Sequence, residues 1–135
     1  MRLSALSLGF LVAACGSDEA TVDAPVIDVA LAASVSATPS PTTVAPGGTV
    51  VLTVTTENFK IINPNVAPAP KAGEGHYHYY LDDAVNYVAA WTPTVDIRIP
   101  ANAAPGAHAI RLVLVTNAHV DVVPTVETTV TFTVE

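Results

Sequence analysis

Sulfur and serine nucleophiles are nearly missing from this sequence of 135 residues: Cys15 is the one cysteine, and no serine follows Ser40. A single thiol excludes an intrachain disulfide and a cysteine-based zinc knuckle. The same shortages leave no Ser–His–Asp or Cys–His nucleophile beyond Ser40. Charge is scarce too, at 13% of residues, about half the usual share of roughly 25%. Twelve acidic residues outnumber five basic ones, for a formal net charge of -7. Such a chain has no electrostatic footprint for nucleic acid. Its seven glycines form no phosphate-cradling pattern, so no nucleotide site is indicated. Glu57, Glu74, Asp82, Asp83, Asp96, Asp121 and Glu127 show no spacing that selects a catalytic pair.

The first fourteen residues, MRLSALSLGFLVAA, place Arg2 before an apolar run. That run is shorter than the about 20 residues a membrane span needs, which is a secretory signal pattern. It ends at Val12-Ala13-Ala14-Cys15, which resembles the lipobox of bacterial lipoproteins. The resemblance implies removal of residues 1–14 and lipidation of Cys15, hence anchoring to a membrane. Val12 stands where leucine is commoner in that family. Removing Arg2 leaves four basic and twelve acidic residues, a net charge of -8. Asp18, Glu19, Asp23 and Asp28 carry half of it in a stretch without a basic residue. Residues 15–28 therefore read as an acidic, solvated tether. Gly16 follows the cysteine where some enteric lipoproteins carry an inner-membrane retention aspartate, which favours the outer membrane or cell surface.

Residues 29–135 carry the alternation of half-buried strands. Val50, Leu52 and Val54 alternate with Val51, Thr53 and Thr55, and Val95, Ile97 and Ile99 with Asp96 and Arg98. Ile110, Leu112 and Leu114 alternate with Arg111, Val113 and Val115. Val126, Thr128, Val130, Phe132 and Val134 define one face of the last strand. Pro39, Pro41, Pro46, Gly47 and Gly48 break the chain early. Pro64, Pro68, Pro70, Gly73 and Gly75 break it again, and Pro105-Gly106 follows. These features predict an all-β, antiparallel Greek-key sandwich of about seven strands, Ig-like in architecture. At most one short helical turn is expected, near Asp83 to Ala90. The stretch from Val35 to Phe59 looks like the opening strands of many bacterial Ig-like surface domains, a likeness of fold alone.

Chemistry concentrates on histidine. In GEGHYHYYLDD, alternation puts His76, His78, Tyr80 and Asp82 on one strand face and Tyr77, Tyr79 and Leu81 on the other. Histidines at i and i+2 lie roughly 6.5–7 Å apart at Cα. Their rings can lean toward one ion at about 2.0–2.1 Å from each nitrogen. His108 opens the strand at Ile110, and His119 lies just past its end. Both cannot join His76 and His78 on an extended strand, because eleven residues span roughly 36 Å. One of them can complete the set, and both can do so only if residues 116–122 fold back. The candidate metal ligands are thus His76, His78, His108 and His119, and copper or zinc is the candidate ion. Tyr77, Tyr79, Tyr80, Tyr87 and Trp91 cluster in a chain otherwise poor in rings. That clustering gives an alternative, a metal-free domain contacting proteins or glycans through a tyrosine-rich strand.

Gly75, His76, His78, Asp82, Pro105, Gly106, His108 and His119 together resemble an uncharacterised family of secreted bacterial domains. That family carries a Gly-His-x-His segment closed by Asp, then Pro-Gly-x-His before a strand, then a further His. Its members often have His where Tyr77 stands, and a His–Pro-rich stretch where this chain has Val120 to Pro124. The resemblance supports the histidines as a unit and implies no reaction. A weaker likeness to the copper/zinc superoxide dismutase sandwich rests on His-x-His alone. The expectation is a non-enzymatic, lipid-anchored binding module of the bacterial envelope; a metal-dependent oxidoreductase is the one enzymatic option.

Overall fold

Residues 31–66 and 69–135 are described by a computed structural model. The expected signal peptide (1–14), Cys15 and the tether (15–28) lie outside the described residues.

The alternating segments form strands whose apolar sides meet. In chain order these are β1 (Ser34–Ser40), β2 (Thr43–Val44), β3 (Thr49–Glu57), β4 (Lys60–Ile61) and β5 (Glu74–Leu81). They are followed by β6 (Val88–Ala90), β7 (Thr94–Arg98), β8 (Gly106–Thr116) and β9 (Glu127–Val134). One sheet has the order β1-β3-β7; the other runs β2-β9-β8-β5-β4, with β6 also paired to β5. The result is an all-β sandwich with a three-stranded and a six-stranded layer. Most pairings are antiparallel; β2–β9 and β4–β5 are parallel. There are nine strands where about seven are expected, and three of them, β2, β4 and β6, are pieces of only two or three residues, too short to show a period.

The core lies between the layers. Val50, Leu52 and Val54 of β3 and Ile97 of β7 meet Tyr77 and Tyr79 of β5 there. Ile110, Leu112 and Leu114 of β8 and Phe132 and Val134 of β9 complete it. Tyr77 is fully buried and donates its hydroxyl to the Thr92 carbonyl at 2.9 Å. Burial pushes that phenol up to about 12. Full burial of such side chains contributes roughly 1.5–3 kcal/mol each.

The expected helical turn near Asp83 is not there. Asp82 and Asp83 both adopt positive φ, 52° and 53°, and the Ala84 amide donates to the Leu81 carbonyl at 3.0 Å. Two consecutive left-handed residues make the mirror-image turn that favours hairpins and cannot begin a right-handed helix. The chain therefore returns along β5 as β6, pairing Tyr77 with Ala90 and Tyr79 with Val88.

Candidate metal centre

Strand alternation on β5 sends Tyr77 and Tyr79 into the core and His76 and His78 to the opposite face of the six-stranded sheet. That face is not open to solvent here: His76 is 0% exposed and His78 4%. Directly across on β8 stand Val115, paired with His76, and Val113, paired with His78. Both valines are buried although they point away from the sandwich core. A second covered layer therefore exists on the outer face, roofed from two sides.

The first roof is the chain after β8. The His119 amide donates to the Thr116 carbonyl at 2.9 Å, and the Thr116 amide donates to the Val120 carbonyl at 2.8 Å. Asp121 then bridges back to Val115. Residues 116–122 thus fold back and bring His119, without His108, to the His76–His78 pair. His119 itself sits at φ 57°, a left-handed conformation that costs a residue with a Cβ about 1–2 kcal/mol. The second roof is Tyr87, just before β6, whose ring stacks on His78 at 3.6 Å between centroids and 6° between planes.

Three imidazoles consequently converge. His76 Nε2 lies 3.2 Å from His78 Nε2, and His78 Nε2 lies 3.1 Å from His119 Nδ1. One ring nitrogen from each residue falls within 4.8 Å of the other two. Bonds of about 2.0–2.1 Å at angles between square and tetrahedral put neighbouring donor nitrogens about 2.9–3.4 Å apart. The separations of 3.2 and 3.1 Å lie inside that window. A neutral imidazole has one N–H and one lone pair, so His78 Nε2 serves only one of its two neighbours well by hydrogen bonding. A cation satisfies all three lone pairs at once. The residues fit a transition-metal ion.

Burial penalises charge on these rings. It is the main cause that drives His76 down to about 4, with His119 and His78 adding to it. His78 is lowered as well, mainly by burial and then by His119, while the Asp121 carboxylate pulls the other way. Neutral imidazole is the form that binds metal. Among the described residues, two buried side-chain atoms lack a hydrogen-bond partner, His76 Nδ1 and Asn117 Oδ1. One belongs to the cluster and the other to the turn that delivers His119. An unsatisfied buried polar group costs about 1–3 kcal/mol. We therefore expect His76→Leu to match or exceed the parent protein in metal-free denaturant stability. A loss beyond about 1 kcal/mol in the urea midpoint energy would mean that His76 is held for packing.

His108 stands apart. It pairs with Phe132 on β9 and so faces the core side of the sheet, opposite to His76 and His78. Its ring stacks with Phe132 at 5.6 Å. Nε2 donates to the Ala104 carbonyl at 2.7 Å, and Nδ1 lies 2.7 Å from Asp82 Oδ2. These acceptors, the Ala104 carbonyl first and Asp82 second, raise its pKa. Both nitrogens are engaged by oxygen atoms on the side away from the cluster, and the ring ties the Asp82 turn to the start of β8.

The tyrosine-rich segment divides. Tyr77 and Tyr79 are core, leaving Tyr80 and Tyr87 on the outer face. Tyr80 lies under the Arg111 guanidinium at 4.1 Å, and Arg111 also meets Asp83 at 3.0 Å and Glu127 at 3.6 Å. Sequence reasoning grouped Tyr87 with the other rings of its segment but missed its stacking on His78, because only the β5–β6 pairing brings them together. No protein-family model matches the chain, and no curated protein matches it.

Proposed function

We propose that this chain is a non-enzymatic binding module of the bacterial envelope, lipid-anchored through Cys15, that holds a copper or zinc ion on His76, His78 and His119. The convergence of three imidazole nitrogens, two of them on buried rings, carries the metal half of that reading. The anchor rests on the Val12-Ala13-Ala14-Cys15 sequence and the signal pattern before it. A multiply acylated cysteine holds firmly to a bilayer where a single chain does not. The acidic stretch after it would hold the sandwich off the lipid surface.

Thermal unfolding of the full chain carrying Cys15→Ala, with and without Cu(II) or Zn(II), tests the reading. An ion at 100 times its dissociation constant stabilises the fold by about 2.7 kcal/mol. For a domain of this size that raises Tm on the order of 10–20 °C. The shift should vanish in His76→Ala/His78→Ala. No shift with zinc or with copper in either oxidation state, Cu(I) being added anaerobically, would overturn the metal site, and a shift surviving the double substitution would move it elsewhere.

A further inference from the structure

We propose that the ion this site selects is cuprous copper, Cu(I), in preference to Cu(II) or Zn(II). The inference rests on the reading above that the three histidines bind metal, and it adds the charge and oxidation state of the ion.

The first argument is the charge of the donors. All three are imidazoles, and no carboxylate or thiolate joins the set among the described residues. Asp121 influences His78 through space but lies outside the donor group. A divalent ion bound here would keep its full double charge, a monovalent one only a single charge. The energy of burying an ion rises with the square of its charge, so the divalent ion meets about four times the penalty.

The second argument is the wall of the site. Val113 and Val115 close one side, both buried, and the Tyr87 ring lies flat on His78. Zinc in a three-histidine site takes a water or substrate as its fourth ligand; the valine wall bars it from one side and leaves it only the side of the exposed His119. The third argument is His76 Nδ1, which is buried without an acceptor. Metal-binding histidines ordinarily donate that proton to a carboxylate, carbonyl or water, which strengthens the ring as a donor. Without that support His76 is a weak, neutral ligand, suited to a soft, low-charge ion. Copper in either state accepts imidazole, and the site's neutrality then decides between them.

Anaerobic competition against a Cu(I) chelator, with parallel Cu(II) and Zn(II) titrations, tests this on the full chain carrying Cys15→Ala, so that no thiol competes. Cu(I) should bind at least 100-fold more tightly than either divalent ion. A 100-fold preference over Cu(II) raises the potential of bound copper by about 120 mV relative to the free couple, at 59 mV per tenfold. His119→Asp puts a carboxylate on an exposed turn whose left-handed backbone aspartate tolerates; it should cut the preference for Cu(I) over Zn(II) at least tenfold. Equal or tighter binding of Zn(II) or Cu(II), or an unchanged ratio in His119→Asp, would overturn the inference while leaving the metal site standing. Binding of no ion would instead remove the reading beneath it.

Discussion

Gly75→Ala is expected to destabilise the domain by about 3 kcal/mol or more, the upper end of what overpacking costs. Gly75 lies on β5 beside His76, and its missing side chain faces the core. A Cβ there would lie 2.9 Å from Phe59 Cζ and 3.0 Å from the Val115 carbonyl carbon, and far inside contact with the Val115 carbonyl oxygen. The Phe59 ring can tilt away, but the Val115 backbone is held in the β5–β8 ladder opposite His76. Relief therefore requires β5 to move away from β8 at the edge of the metal site. Urea denaturation should show a lower midpoint with unchanged m, and metal affinity should fall with it. A midpoint energy within about 0.5 kcal/mol of the parent would mean that the two strands can separate at little cost.

The second large effect is loss of stability in acid without metal. His76 is fully buried and holds its proton only below about pH 4, against an ordinary value of 6.5. Between those limits the unfolded chain binds a proton that the folded chain does not, so stability falls as pH drops from 6.5 toward 4. The difference corresponds to on the order of 3 kcal/mol, and the lowering of His78 acts in the same direction. His108 works oppositely: its raised pKa adds stability below 6.5 that is lost as pH rises through its folded value. Urea denaturation at a series of pH values should show a steep acid-side decline that His76→Leu flattens. An equal decline in both proteins would assign the acid sensitivity to other groups.

Much of this arrangement could be read from residues alone. β-branched alternation placed Val50, Leu52, Ile97, Ile110 and Phe132 inside, and it separated His76 and His78 from Tyr77 and Tyr79. The choice between His108 and His119 could not be read, because it depends on how β8 registers against β5. Pairing Tyr77 with Leu114 sends the even positions of β8, His108 among them, to the core side. His119 reaches the other face only through a turn with positive φ at the histidine itself, where no glycine signals it. Val113 and Val115 follow from neither alternation nor composition, since their burial comes from segments folded over the outer face. Aspartates 82 and 83 hid β6 in the same way, by adopting a turn that glycine usually marks.

If the proposed ion binds, the alternation along β5 also makes it an inspector of strand alignment. A slip of one residue between β5 and β8 would exchange the two faces, turning Tyr77 and Tyr79 outward and driving His76 and His78 among Leu112 and Leu114. The His-x-His pair is available to an ion even in an unfolded chain, because its members are neighbours in sequence. His119 lies 41 residues from His78 and arrives only after β8 has paired in register and its end has doubled back. An ion picked up early by two rings would therefore gain its third ligand only from the correctly aligned sheet, and chains that misalign would hold it more weakly.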